Sequence, residues 1–124
     1  LQQIAAFEDQ LQEAGILLCK VYLQISADEQ LKRLRKRILT PHKHWKLSAA
    51  DLQAHRQFPQ YQAEWAATLA RSHRPSAPWY VLPADHKWLR NLLLASLLAR
   101  QFEALDLHWP TPPLPFSLAE LEQN

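Results

Sequence analysis

A chain of 124 residues is long enough for one small domain with a core and too short to suggest two. Its apolar content of 48% is that of a soluble globular protein, and no apolar run reaches the roughly 20 residues a spanning helix needs, so no membrane role is expected. The formal net charge is only +2, which makes any basic character local, and the lone Cys19 cannot form an internal disulfide.

Gln, Glu and Asp interrupt the amino terminus, so it lacks the pattern of a signal peptide. The chain does not begin with Met, and the expectation is that it starts inside something larger. Gly15 is its one glycine. A loop that cradles a triphosphate with backbone N–H groups uses several glycines, because the backbone must approach closely and take positive φ. This chain therefore carries no phosphate-cradling loop of its own.

Leu1, Ile4, Ala5, Leu11 and Ala14 recur at helical spacing, with Phe7 close by and Gly15 where helices stop, which predicts a helix over 2–14. Residues 16–25 read ILLCKVYLQI, the pattern of a strand buried on both faces of a parallel sheet. Cys19 within it is expected to be an inert core residue. Ser26 opens a capping box closed by Glu29, and Leu31, Leu34 and Ile38 mark the buried face of the next helix, which Pro41 ends.

Seven of the fourteen Lys and Arg lie between Lys32 and Lys46, with no Asp or Glu among them. A dense positive field on a helix end and a following loop is what a polyanion handler needs. Residues 41–47 are predicted to be loop. Ser48 and Asp51 form a second box, and the helix from Leu52 breaks near Pro59. Tyr61, Trp65, Thr68 and Leu69 give a further helical face to about His73. Trp79–Leu82 reads as a short strand. Asp85 is expected to cap a long helix in which Trp88, Leu89, Leu92, Leu93, Ala95, Leu97 and Leu98 are largely core. The Pro-rich stretch after Leu107 rules out regular structure, and a short helix follows Ser117. The fold class is α/β with two parallel strands joined by helical crossovers. Two strands are too few for a stable parallel sheet, and an apolar edge is expected to be left open to self-association.

Three segments, FEDQLQEAGILLCKVYLQIS, EQLKRLRKRILTPHKHWKLSAADL and APWYVLPADHKWLRNLLLASLL, resemble the carboxyl-terminal half of the polyphosphate kinase 2 family. The likeness covers about residues 4–109, with a Pro-rich tail over 110–124. The string APWYV-x-PADHKW-x-R-N is most similar to the single-domain polyphosphate:nucleotide phosphotransferase branch. The resemblance implies a P-loop kinase fold of the thymidylate-kinase type with three layers, of which this chain holds two strands, a lid at about 38–50 and the last helices. The family's Walker A loop and Walker B aspartate lie upstream and are absent here.

It also implies phosphoryl transfer between inorganic polyphosphate and a nucleoside mono- or diphosphate, with Mg²⁺ in the intact enzyme and none bound by this chain alone. A cytoplasmic location follows from that chemistry and the missing targeting signals. By position, Arg33, Arg37, Lys43 and Lys46 match the family's basic lid residues and would clamp the phosphate chain. Asp85, His86 and Lys87 match its PADHK segment, which makes Asp85 and Lys87 candidate substrate-binding residues. Lys32, Arg35 and Lys36 match no family position and add to the field.

Phe58 stands where the family has Trp, and Ser72-His73-Arg74 where it has Thr-Ser-Thr, which puts a hydroxyl contact near Ser72 in doubt. His42 and His44 flank Lys43, but two ligands do not make a zinc site. Trp45 is expected to anchor the lid by packing rather than to stack on a base, and Trp79, Tyr80 and Trp88 to lie in the core. Two other functions fit the residues: a basic module that holds RNA or another polyanion, made less apt by the lack of Arg-Gly and aromatic patterns, and a non-catalytic partner that completes another chain's sheet.

Overall fold

The computed structural model describes residues 1–122. Its elements run α1 (Gln2–Glu13), β1 (Lys20–Gln24), α2 (Ala27–Ile38), a 3₁₀ segment (Pro41–Lys46), α3 (Ala49–Arg56), α4 (Phe58–Ser72), β2 (Trp79–Pro83), α5 (Lys87–Ala104) and α6 (Leu118–Glu122). The chain divides into two compact units, Leu1–Leu94 and Ala95 onward, with the division inside α5.

In the first unit β1 and β2 pair in parallel, with Lys20 opposite Trp79 and Gln24 opposite Pro83. Alternate residues of β1 then meet α4 at three points. Lys20 Nζ donates to the Ser72 carbonyl at 3.0 Å, the Tyr22 and Trp65 rings lie 5.2 Å apart, and Gln24 Nε2 donates to Gln62 Oε1 at 2.6 Å. A period of two on the strand is thus met by a helix running the opposite way. Trp79 joins the same contact, its indole N–H donating to Ser72 Oγ at 2.9 Å.

At the amino ends of the strands Lys20 is buried, with its ammonium 2.9 and 3.0 Å from the two Glu8 oxygens of α1 and 5.1 Å from the centre of the Trp79 ring. This pair is not legible in the sequence, because a Lys in an apolar run and a Glu on a helix face have no shared signature. Arg74, before β2, adds a second tie to α1 by donating to the Ala5 carbonyl at 3.0 Å and pairing with Asp9. That carboxylate raises the Arg74 guanidinium's already high pKa.

Several expectations are corrected. The strand covers Lys20–Gln24 rather than 16–25, and Ile16 and Leu17 are exposed. The pair is not buried on both faces: Leu23 is 42% exposed and Val81 on β2 is 55% exposed. The continuous apolar run matches a strand covered by helices on both faces, and the described helices leave part of it open. Among the described residues only Ala77 and Ala84 are buried apolar side chains. For the same reason Ile38, Trp88, Leu92 and Leu98, expected in the core, are exposed. Cys19 is half-buried and precedes the strand. Residues 41–46 form a 3₁₀ turn, which Pro41 starts from the position where its missing N–H is harmless.

A substitution test follows from the buried pair. Lys20→Met leaves the Glu8 carboxylate buried without a partner and is expected to cost about 3–5 kcal/mol, whereas Glu8→Leu with Lys20→Met recovers most of it. Urea unfolding midpoints of the two variants check this; equal losses would show that the pair holds nothing.

Candidate functional site

Two helices, α2 and α5, begin where the two strands end, so the carboxyl ends of β1 and β2 form one rim. In open parallel sheets that rim is where ligands bind. A cleft of about 360 Å³ lies there, lined by Gln24, Ser26, Pro83, Asp85, His86 and Leu89 among others. That volume lies in the range of small-molecule sites.

The rim is fixed by a few bonds. Ala84 N–H donates to the Gln24 carbonyl at 2.7 Å and carries the strand pairing one residue further. Asp85 Oδ1 accepts the Ser26 backbone N–H at 2.8 Å, and Ser26 Oγ accepts the Glu29 N–H at 3.1 Å. Ser26 thus caps α2 as expected, but the return half of the capping box comes from Asp85, across the sheet. The Glu29 carboxylate turns instead to Arg33, whose Nε donates to it at 2.8 Å. Asp85 therefore does not cap α5. That helix starts at Lys87, and its Arg90 N–H donates to the His86 carbonyl. The strand pairing brings Asp85 close to Ser26, whose backbone N–H takes its carboxylate.

Arg33 Nη2 donates to the Ala84 carbonyl at 2.7 Å, so one guanidinium ties α2 to the rim and to Glu29. The Ser26 N–H is the main cause that lowers the Asp85 pKa, with His86 and Arg33 adding to it; the bond from Arg33 is the main cause that lowers that of Glu29.

The sequence-predicted residues divide into groups. Arg33 and Asp85 come together at the rim. Arg37 lies one turn further along the same face of α2, half-buried, with no acidic partner among the described residues. Lys43 and Lys46 lie on the 3₁₀ turn that follows, and Lys87 is exposed at the start of α5. Trp45 does not anchor this turn: it is 79% exposed and carries only the Lys46 ammonium, 4.8 Å from its ring centre. The anchor is His44, whose Nε2 lies 2.7 Å from the Ile38 carbonyl and so carries the proton. No three His, Cys, Asp or Glu side chains are grouped to hold a metal ion among the described residues. Asp51 closes its capping box on the Ser48 N–H at 2.8 Å. Ser26, Glu29 and His86 were not singled out as site residues. Ser26 and Glu29 have a local signal as a capping box and His86 lies in the PADHK segment, but only the strand pairing brings them to one rim.

The family model of polyphosphate kinase 2 matches residues 1–108. The chain belongs to the polyphosphate kinase 2 family. It is 37% identical over 111 residues to an AMP/ADP-polyphosphate phosphotransferase of Meiothermus ruber, a match that takes in 90% of this chain and 42% of that protein. It is 36% identical to an uncharacterized protein encoded in the chlN 3′ region of Leptolyngbya boryana, covering 81% of that chain. The crystal structure of polyphosphate kinase 2 from Arthrobacter aurescens TC1 superposes with a TM-score of 0.85 at 36% identity, over 97% of this chain and 42% of the other. The likeness supports the expected P-loop kinase-like α/β fold. The chain spans about two-fifths of that kinase and of the Meiothermus ruber phosphotransferase.

The bond between Asp85 and Ser26 gives a pH dependence. A carboxyl whose folded pKa is depressed adds stability that is present above its unfolded value, about 3.9, and is lost as pH falls through the lower folded value. Asp85→Ala is expected to flatten the stability profile below about pH 5 and to speed exchange of the Ser26 amide. Amide exchange followed by NMR across that range checks it. An unchanged Ser26 amide would mean that the bond does not hold α2.

Proposed function

We propose that this chain is the lid-bearing, carboxyl-terminal part of a kinase that moves a phosphoryl group between inorganic polyphosphate and a nucleoside mono- or diphosphate. The observation that carries this reading is the Arg33–Arg37 face of α2, tied to the carboxyl ends of the parallel strands through Ala84 and Asp85. The transferring group is cleaved from one phosphate oxygen and joined to another, so the protein's work is positioning and charge neutralisation. Arg33 and Arg37 address the phosphates near the strand ends. Lys43 and Lys46, on a short turn beyond α2, close over the chain, and Asp85 and Lys87 border the acceptor side.

Arg33 has a double task in this reading, since two of its nitrogens already bind Glu29 and Ala84. It positions α2 and offers its remaining donors to phosphate. Mg²⁺ would be brought with the nucleotide phosphates and neutralise their charge; a few carboxylates and several waters suffice to hold it. The fully formed reaction site needs a glycine-rich phosphate loop, which this sequence does not contain, so the chain alone is not expected to turn over. The nucleotide chemistry goes with a cytoplasmic setting.

The test is polyphosphate binding by the chain at two salt concentrations, with and without Arg33→Ala and Arg37→Ala. Binding should weaken steeply with salt, and the double variant should lose roughly 1–2 units of the log–log salt slope. A double variant that binds like the parent sinks the clamp. Turnover of AMP or ADP by the chain alone would overturn the statement that it lacks essential parts.

The two open sheet edges favour a second reading: a chain of this extent completes the sheet of another copy or another chain. Size-exclusion chromatography over a range of concentrations is expected to show self-association. A strictly monomeric, well-folded sample would count against it.

A further inference from the structure

α2 carries a second set of cations that the proposed clamp does not use. At about 100° per residue, Lys32, Arg35 and Lys36 share one side of the helix, roughly 120° from Arg33 and Arg37. The three line an open groove with Leu31, Leu39 and Thr40, and Asp28 stands at its amino end. Lys32 is 80% exposed and only loosely paired, 3.6 Å from Glu29, while Arg35 and Lys36 have no acidic partner among the described residues. Thr40 Oγ1 donates to the Lys36 carbonyl at 2.6 Å and fixes the groove's carboxyl end. The groove has an aliphatic lining and no aromatic ring, so it offers charge without a platform for stacking bases. A polymer made only of phosphates fits that chemistry better than a nucleic acid does.

We propose that this outer face of α2 is an anchoring track for the distal part of a long inorganic polyphosphate chain, separate from the Arg33–Arg37 face that meets the transferring end. The inference rests on the polyphosphate reading above. It makes Lys32, Arg35 and Lys36 determinants of chain-length preference, since a short oligophosphate held at the clamp does not reach them.

The experiment is binding of tripolyphosphate and of long-chain polyphosphate to the full chain, across a salt series, with circular dichroism to confirm retained helix. Lys32→Gln with Arg35→Gln and Lys36→Gln is expected to weaken long-chain binding several-fold and to flatten its salt slope by about 2, three contacts at about 0.7 each. Tripolyphosphate binding should stay unchanged. Lys32→Arg with Lys36→Arg keeps the charge and should bind long chains like the parent. Arg33→Gln with Arg37→Gln should weaken both ligands. Equal weakening of both ligands by the triple variant overturns the track, because the three cations then act as a general field. An unchanged long-chain affinity, with tripolyphosphate still bound by the parent, sinks the track alone. Failure of the parent to bind either ligand overturns the track together with the function proposed above. Single-stranded RNA that displaces long-chain polyphosphate equally well also overturns it, as the face would then be a surface for any polyanion.

Discussion

The bond from the Ser26 amide to Asp85 decides where the basic residues of α2 are placed. It joins the turn after β1 to the turn after β2, and Arg33 repeats the join from the helix side through the Ala84 carbonyl. Two parallel strands alone set only the direction of α2. These two ties set its start and its rotation about its own axis, and so which of its cations face the strand ends. Each tie is charge-assisted and half-open to solvent, so its effect is geometric more than energetic.

At the other end of the strands the physics is different. Lys20 and Glu8 are buried together, and a buried pair weakens the fold sharply if one member is lost. The pair, the Ser72 carbonyl and the Trp79 ring hold α1, α4 and both strands in register without an apolar core to do it. The apolar side chains left open, Leu23 and Val81 among them, are of the kind that a parallel sheet covers with helices on both faces. A crystallised kinase of the same family, of which this chain spans about two-fifths, has chain enough to cover them.

Element order and type were legible in the sequence because helix periodicity, the Ser26 and Ser48 caps and Pro41 and Pro59 are local signals. The two strands were legible from their apolar runs, but their burial was not. ILLCKVYLQI reads as one long buried strand, yet the strand begins only at Lys20, and the Ile16 N–H turns back to the Leu11 carbonyl. The basic block stood out as composition. Arg33 and Arg37 were set apart from Lys32, Arg35 and Lys36 by the family resemblance, yet the role of Asp85 was not legible: a carboxylate two residues before a helix reads as a cap until the strand pairing brings the Ser26 N–H to it. Trp45 failed in a similar way, because a large apolar ring predicts packing only if an adjacent surface exists, and His44 made the anchoring bond instead.

The five cations of α2 carry a cost that the rest of the chain does little to offset. Lys32 and Lys36, and Arg33 and Arg37, are like charges four residues apart, each pair worth a few tenths of a kcal/mol against the helix. Glu29 relieves Lys32 and Arg33, and the helix dipole favours Arg35, Lys36 and Arg37 in the last turn. What is left without an acidic partner among the described residues is Arg37 on one face and Arg35 and Lys36 on the other. A linear polyanion can neutralise both faces only if it bends around the helix or if two stretches of it bind. On the proposed function, that makes α2 both the clamp at the strand ends and the first turn of the path by which a long phosphate chain leaves them.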